Sequence, residues 1–170
     1  MSFLIYSLPR SRSYWLSALF NLNGTSCNHD PSAHFTDINS LKEYFQKNNA
    51  IDTGLCMIHE KIATNCPELK IAILRRPLSE IFKSAENLGV NSNLIKNQFE
   101  HMEKILNTYK SSPCLHFSDM NNYKKVADFY HNLTNKYLDE GLFKYLVNEN
   151  IQKDFWEEIK SYKSIPEIYK

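Results

Sequence analysis

The side chains best suited to chemistry stand close together near the start of the chain. Pro9-Arg10-Ser11-Arg12-Ser13 alternates two permanent positive charges with two hydroxyl donors. This mixture suits a phosphate or sulfate, which is held by charge and by several donors at once. Tyr14 and Trp15 follow directly, and the pair His29-Asp30 lies sixteen residues beyond Ser13. An imidazole takes a proton near neutrality, whereas a carboxylate does so only when burial raises its pKa. His29 is therefore the direct candidate for a general base and Asp30 the conditional one. Arg75, far along the chain, is a further positive charge at the end of an apolar run.

The elements around these residues predict where they meet. Phe3-Leu4-Ile5-Tyr6-Ser7 reads as a buried strand that stops at Pro9, because proline cannot donate to a sheet ladder. Trp15, Leu16, Leu19, Phe20 and Leu22 recur at helical spacing, so a helix over 13–23 follows, closed by Gly24. Strand, polar turn and helix in that order aim the unpaired N–H groups of a helix start at one point, a ready anion site. A second strand is expected over 25–30, closed by Pro31. Asp37 is the expected N-cap of a helix reaching about 48. A brief strand and turn at 50–54 leads into a helix over 55–65, and a clear strand over 70–75 follows. Pro77 is expected at the first position of the next helix, which ends near Gly89. A long amphipathic helix carries Ile95, Phe99, Met102 and Leu106. A short strand over 114–117 then precedes a helix capped by Ser118 or Asp119. The last third, including Phe143, Phe155, Trp156 and Ile159, is expected to be helical and to pack as a cover. Strands alternating with helices predict a parallel sheet with helices on both faces and ligands at the carboxyl ends of the strands. Arg10 and Arg75 both fall at such ends.

Whole-chain properties narrow the field. With 170 residues the chain reads as a single domain over 1–170, able to bury roughly 70% of its unfolded surface. Lys+Arg 20 against Asp+Glu 19 gives a net charge of +1, so any anion site is local and no broad basic surface recruits nucleic acid. Four scattered cysteines without a C-x-x-C pair, and no signal peptide, predict reduced thiols and a cytoplasmic protein. The start, with arginines, serines and no acidic residue before Asp30, also has the composition of an organellar transit peptide. The strand-like run and Pro9 count against that. No apolar run approaches the ~20 residues that cross a bilayer, so no membrane partner is expected.

Several chemistries fall away on motif grounds. The loop lacks the glycines and the lysine of a Walker A sequence, and no dinucleotide-binding G-x-G-x-x-G occurs. His59-Glu60 lacks the second histidine of a zinc protease, since Ala63 stands there; no metal is expected.

Leu8-Pro9-Arg10-Ser11-Arg12-Ser13-Tyr14-Trp15-Leu16 resembles the 5′-phosphosulfate loop of sulfotransferases, roughly P-[KR]-S-G-[ST]-T-[WL]-L. The segment from Pro67 through Ile71-Ala72-Ile73-Leu74-Arg75-Arg76-Pro77 is similar to that family's second signature, a strand running into R-x-P and a helix. Small proteins of tailed-phage genomes with a P-R-S-R-[ST] loop followed by Cys-x-His-Asp/Glu are also similar, and Cys27-Asn28-His29-Asp30 matches that piece. The resemblance covers about the first half of the chain.

It implies a three-layer, P-loop-like fold of sulfotransferase type with a helical C-terminal part. The implied donor is 3′-phosphoadenosine 5′-phosphosulfate (PAPS), whose sulfuryl group passes to a hydroxyl or amine. Arg10 would then contact the transferring group, and Ser11, Arg12, Ser13 and Tyr14 would sit on the 5′-phosphate loop. Trp15 would stack on adenine or serve as an ordinary core tryptophan. Arg75 would grip the 3′-phosphate with Lys83 or Ser84, and His29 or Asp30 would be the base. A phage origin would place the protein in the host cytoplasm. Arg12 stands where the family has glycine, Lys83 where it has serine, and no G-x-x-G-x-x-K segment occurs. These departures fit the alternative, a non-enzymatic descendant with a degenerate anion site that acts in nucleotide sensing or protein contact. A nucleic-acid protein whose arginine loop binds phosphates without specificity is disfavoured by the near-zero net charge.

Overall fold

A computed structural model describes residues 2–35 and 37–148. The expectations for Phe155, Trp156 and Ile159 lie outside the described residues. Among those described, five strands form one all-parallel sheet in the order β2-β3-β1-β4-β5: β1 (Phe3–Ser7), β2 (Asn28–His29), β3 (Ala50–Asp52), β4 (Lys70–Arg75) and β5 (Cys114–His116). β1 is central and buried at every position, with Ile5 opposite Ile51 of β3 on one edge and Ala72 of β4 on the other.

The two-residue period of β1 divides the molecule into two cores. Phe3 and Ile5 face a layer made by α1 (Ser13–Leu22), α6 (Tyr123–Thr134) and α7 (Glu140–Asn148), where Trp15, Leu19, Phe20, Phe129 and Phe143 pack. Leu4 and Tyr6 face the other layer, from α2 (Ile38–Phe45), α3 (His59–Asn65), α4 (Leu78–Glu86) and α5 (Ser92–Leu106), with Leu41, Ile62, Ile81, Phe99 and Met102. The chain is thus an α/β protein with helices on both faces of a parallel sheet, as the alternation of elements predicts. No helix among the described residues is long and apolar enough to cross a membrane.

Local chemistry explains the boundaries. Asp37 caps α2 by accepting the N–H groups of Asn39 and Ser40, both at 2.9 Å. Gly24, at φ +74°, ends α1 where a side chain would be strained.

Three expectations need correction. The second strand covers only Asn28–His29, because residues 25–27 spend their backbone on α1. Thr25 N–H bonds Phe20 C=O at 2.9 Å, Cys27 N–H bonds the Asn21 side chain at 3.1 Å, and Ser17 Oγ donates to Cys27 C=O at 2.7 Å. Pro77 is the N-cap of α4 and not its first helical residue, since its extended ψ of 135° precedes Leu78. Ser118 and Asp119 lie in a 3₁₀ turn, and Asn122 caps α6 through Lys125 N–H at 3.2 Å.

One buried carboxylate ties β3 to the loops beside it. Asp52 is fully buried; Oδ1 accepts the N–H groups of Gly54 and Leu55, each at 2.7 Å, and Oδ2 accepts Ser32 N–H at 3.0 Å. Replacing it with alanine leaves three amides without their acceptor, that of Leu55 buried and those of Gly54 and Ser32 part-buried. Asp52→Ala is therefore expected to lower unfolding stability in urea by about 2–4 kcal/mol. Asp52→Asn, which keeps an acceptor oxygen, should fall between it and the parent. A loss under about 0.5 kcal/mol, the range of ordinary surface changes, would show that the network contributes nothing.

Candidate functional site

The site lies at the carboxyl end of β1, where the chain turns from the sheet into α1. Two residues of that turn, Arg10 at φ 68° and Arg12 at φ 59°, adopt left-handed backbone that costs a non-glycine residue roughly 1–2 kcal/mol each. The arginine that occupies the glycine position of the sulfotransferase pattern thus takes the conformation in which glycine is cheapest. Arg12 is the N-cap of α1 without a side-chain cap bond, and Leu16 N–H is the first amide to reach back, to Arg12 C=O at 3.1 Å. The amides of the first turn precede that bond and converge on the loop.

The arginines at the end of β4 take different partners. Arg75 and Arg76 are consecutive at a strand end, so their side chains leave on opposite faces. Arg75 turns toward the C-terminal end of α5, donating to Asn107 Oδ1 at 2.7 Å and Leu106 C=O at 2.8 Å. It lines a cavity of about 170 Å³ together with Leu8, Arg76, His116 and the carboxylate-bearing Glu103. Arg76 turns toward the loop. Its guanidinium donates to Arg10 C=O at 2.5 Å, pairs with Glu80 at 3.2 Å and lies 3.9 Å over the ring of Phe117. Burial first, and then the charge of Arg76, pull the pKa values of both Arg10 and Arg12 down. Arg10, Arg12 and Arg76 form the positive cluster. The sequence signal for Arg76 was the two-residue period of β4: Leu74 packs in the α1 layer, and Arg76 continues that face.

The other expected residues are distributed as follows. Arg10 Nε donates to Ser84 Oγ at 3.2 Å, so α4 meets the loop through Ser84, while Lys83 is exposed beside it. Arg12 donates to Asn121 Oδ1 at 3.0 Å and stands 5.1 Å from the ring centre of Trp15. Trp15 is 1% exposed, donates its indole N–H to Leu146 C=O at 2.9 Å and meets Phe143 edge-on. It has the surroundings of a core tryptophan. Ser11 is fully buried and its hydroxyl has no hydrogen-bond partner among the described residues; the same holds for Ser7 at the end of β1. A buried hydroxyl left unpaired costs about 1–3 kcal/mol.

His29 reaches the loop from the edge strand β2. Its Nε2 lies 2.9 Å from Ser13 Oγ, and Nδ1 lies 3.4 Å from Asp30 Oδ2. Neighbouring residues of an extended strand normally point apart; the left-handed turn at Asp30, φ 46° and ψ 51°, brings the carboxylate back beside the ring. Thr53 fixes Asp30 Oδ1 with its N–H at 2.7 Å and its hydroxyl at 3.0 Å. Tyr14 meets the imidazole edge-on at 5.5 Å. Burial lowers the His29 pKa, against the attraction of Asp30 and Asp52, and burial raises that of Asp30, against the nearby imidazole and the bonds from Thr53. Nothing in the sequence flagged Thr53, because it lies twenty-three residues from Asp30 and meets it only through the β2–β3 pairing.

Fold and site together define an α/β protein with an arginine-rich loop at the carboxyl edge of its central strand and a histidine–aspartate pair beside it. No family model matches the chain, and comparison with curated proteins gives no match. Among the described residues no group of three or more His, Cys, Asp or Glu could hold a metal ion. Burial pushes the Cys56 thiol up to about 11, which makes it a poor nucleophile.

The imidazole offers a direct test of this geometry. His29 should titrate below the ordinary imidazole value in NMR spectra of the ring protons. Asp30→Asn removes the opposite charge that favours the protonated ring, so the same resonance should titrate lower still. A His29 that titrates normally in both proteins would mean that the ring is solvated and away from Asp30.

Proposed function

We propose that the loop binds the 5′ end of a phosphosulfate-bearing nucleotide, in a P-loop-like arrangement of sulfotransferase type, and that the chain acts as a sulfotransferase. The observation that carries this reading is the buried, unpartnered Ser11 hydroxyl within a turn flanked by Arg10 and Arg12 and backed by Arg76. The residues of the 5′ half fit PAPS: Arg10, Ser11, Ser13 and the first-turn amides of α1 would hold its phosphosulfate. When bound, PAPS supplies an activated sulfuryl group. In such transfers the protein mainly positions groups and stabilises charge. Arg10 and Arg12 offer forked donors to the oxygens, and His29, kept neutral by burial, would accept the acceptor's proton at Nε2. A larger cavity, about 720 Å³, has Phe35, Ile38, Leu41, Leu55 and Ile58 among its walls and begins at Ser32, three residues past His29. It is the natural room for an apolar part of the acceptor.

The 3′ half is less well provided. Arg75 is engaged by α5, and the same cavity holds Glu103, which repels a phosphate, beside Arg76 and His116. That observation favours the second reading, a descendant that binds an anion without transferring sulfuryl groups.

Adenosine 3′,5′-bisphosphate, the desulfated donor, is expected to stabilise the protein in a thermal melt. At one hundred times its dissociation constant it adds about 2.7 kcal/mol, a rise of about 5–10 °C for a domain of this size. Adenosine 5′-monophosphate and ATP should do much less. Equal shifts with all three and with inorganic sulfate would reduce the site to a general anion hole. Stabilisation by the bisphosphate without sulfuryl transfer to any tested alcohol or amine would favour the second reading.

A further inference from the structure

The same corner of the molecule holds a second arrangement that phosphosulfate binding does not require. Ser13 Oγ, His29 Nε2 and Nδ1, and Asp30 Oδ2 lie in file, with contacts of 2.9 and 3.4 Å. The order hydroxyl, imidazole, carboxylate is that of an activated serine, in which the base is oriented by a third group that stabilises the imidazolium. We propose that Ser13 is a covalent nucleophile toward small, negatively charged carboxylic esters, with His29 as its base and Asp30 as the group that orients His29.

Four observations carry the assignment. Thr53 holds Asp30 Oδ1 through two donors, at 2.7 and 3.0 Å, which leaves Oδ2 to the ring. Asp30 keeps a left-handed backbone, φ 46°, and that turn is what sets its carboxylate beside the preceding residue. A proton on Nδ1, facing the carboxylate, makes Nε2 the acceptor for the Ser13 hydroxyl. Finally, Ser13 is the first residue of the ten-residue helix α1, so the backbone N–H groups of Ser13 and Trp15 lie ahead of Leu16, where i→i−4 bonding starts, and are placed for a developing oxyanion. Arg10 and Arg12, in the turn just before the nucleophile, favour a negatively charged ester. Ser13 is 6% exposed, which restricts attack to small acyl groups.

The step balances without an added reagent. Ser13 Oγ bonds to the carbonyl carbon while its proton passes to His29 Nε2. The bond to the alcohol oxygen breaks, that oxygen takes the proton from Nε2, and the acyl group remains on Ser13. Water, deprotonated by the same nitrogen, then attacks the acyl carbon; the bond to Ser13 Oγ breaks, that oxygen takes the proton back from Nε2, and the acid leaves. This differs from the sulfotransferase reading, in which Ser13 only binds and never reacts.

A fluorophosphonate, incubated with the full chain in the absence of nucleotide, tests the proposal. The Ser13 oxygen displaces fluoride at phosphorus, and peptide mass spectrometry locates the adduct. The expected result is stoichiometric labelling at Ser13 in preference to exposed serines such as Ser118, and none at this peptide in Ser13→Ala. Labelling should slow at least a hundredfold in His29→Gln and tenfold in Asp30→Asn, in variants whose circular dichroism matches the parent, and be unchanged in Ser118→Ala. Absence of label at Ser13 in the folded parent protein, or a rate indifferent to His29, overturns the proposal. Should His29→Gln fail to fold, the parent's selectivity for Ser13 over Ser118 decides alone. Thermal stabilisation by the bisphosphate without labelling sinks the nucleophile and leaves the nucleotide reading standing; labelling without stabilisation does the reverse.

Discussion

Burial of β1 on both faces and along both edges is the constraint on which the rest depends. A strand enclosed in this way can release its chain only at its ends, and in a parallel sheet the carboxyl ends gather on one side. Ser7 is still fully buried, yet α1 must begin at Ser13 to place Trp15 and Leu16 in the core. The intervening residues have almost no room to wander. The left-handed turns at Arg10 and Arg12 are the geometric result, and the arginine-rich loop is what such a short reversal leaves behind.

The same reversal creates an electrostatic problem that the structure solves only partly. Arg10, Arg12 and Arg76 are close enough for Arg76 to depress the pKa of both of the others. The carboxylate paired with them is Glu80, on Arg76, at 3.2 Å. Phe117 and the Arg10 carbonyl take up more of the Arg76 charge. Arg10 and Arg12 instead donate to the neutral partners Ser84 and Asn121. Neutral partners fix direction without cancelling charge, so the corner keeps a local positive field in a chain whose net charge is +1.

Local features were legible in the sequence and distant ones were not. The extent of β4, Lys70–Arg75, and the capping of α2 by Asp37 follow from neighbouring residues alone. The loop between strand and helix was equally plain, because Pro9 and the helical spacing from Trp15 onward mark its two sides. The choice between Arg75 and Arg76 was not, since it turns on which face of the sheet each leaves and on what α5 offers there. The late start of the second strand was hidden for a related reason: Asn21 and Ser17, inside α1, claim the backbone at Cys27 before a neighbouring strand can. The file of Ser13, His29 and Asp30 joins a helix start to an edge strand, and the turn that completes it has no signature in residue type.

The outer strands carry a consequence of their own. β2 has two residues and β5 three, so each border of the sheet presents only a few backbone groups to the outside. A long, flat border is a template on which another chain can add its own strand, and proteins with such borders risk joining edge to edge. Here the hydrogen-bonding rows stop almost as soon as they reach solvent. Strand-by-strand growth into larger aggregates has little to start from at either side, even though the central strand is buried at every position.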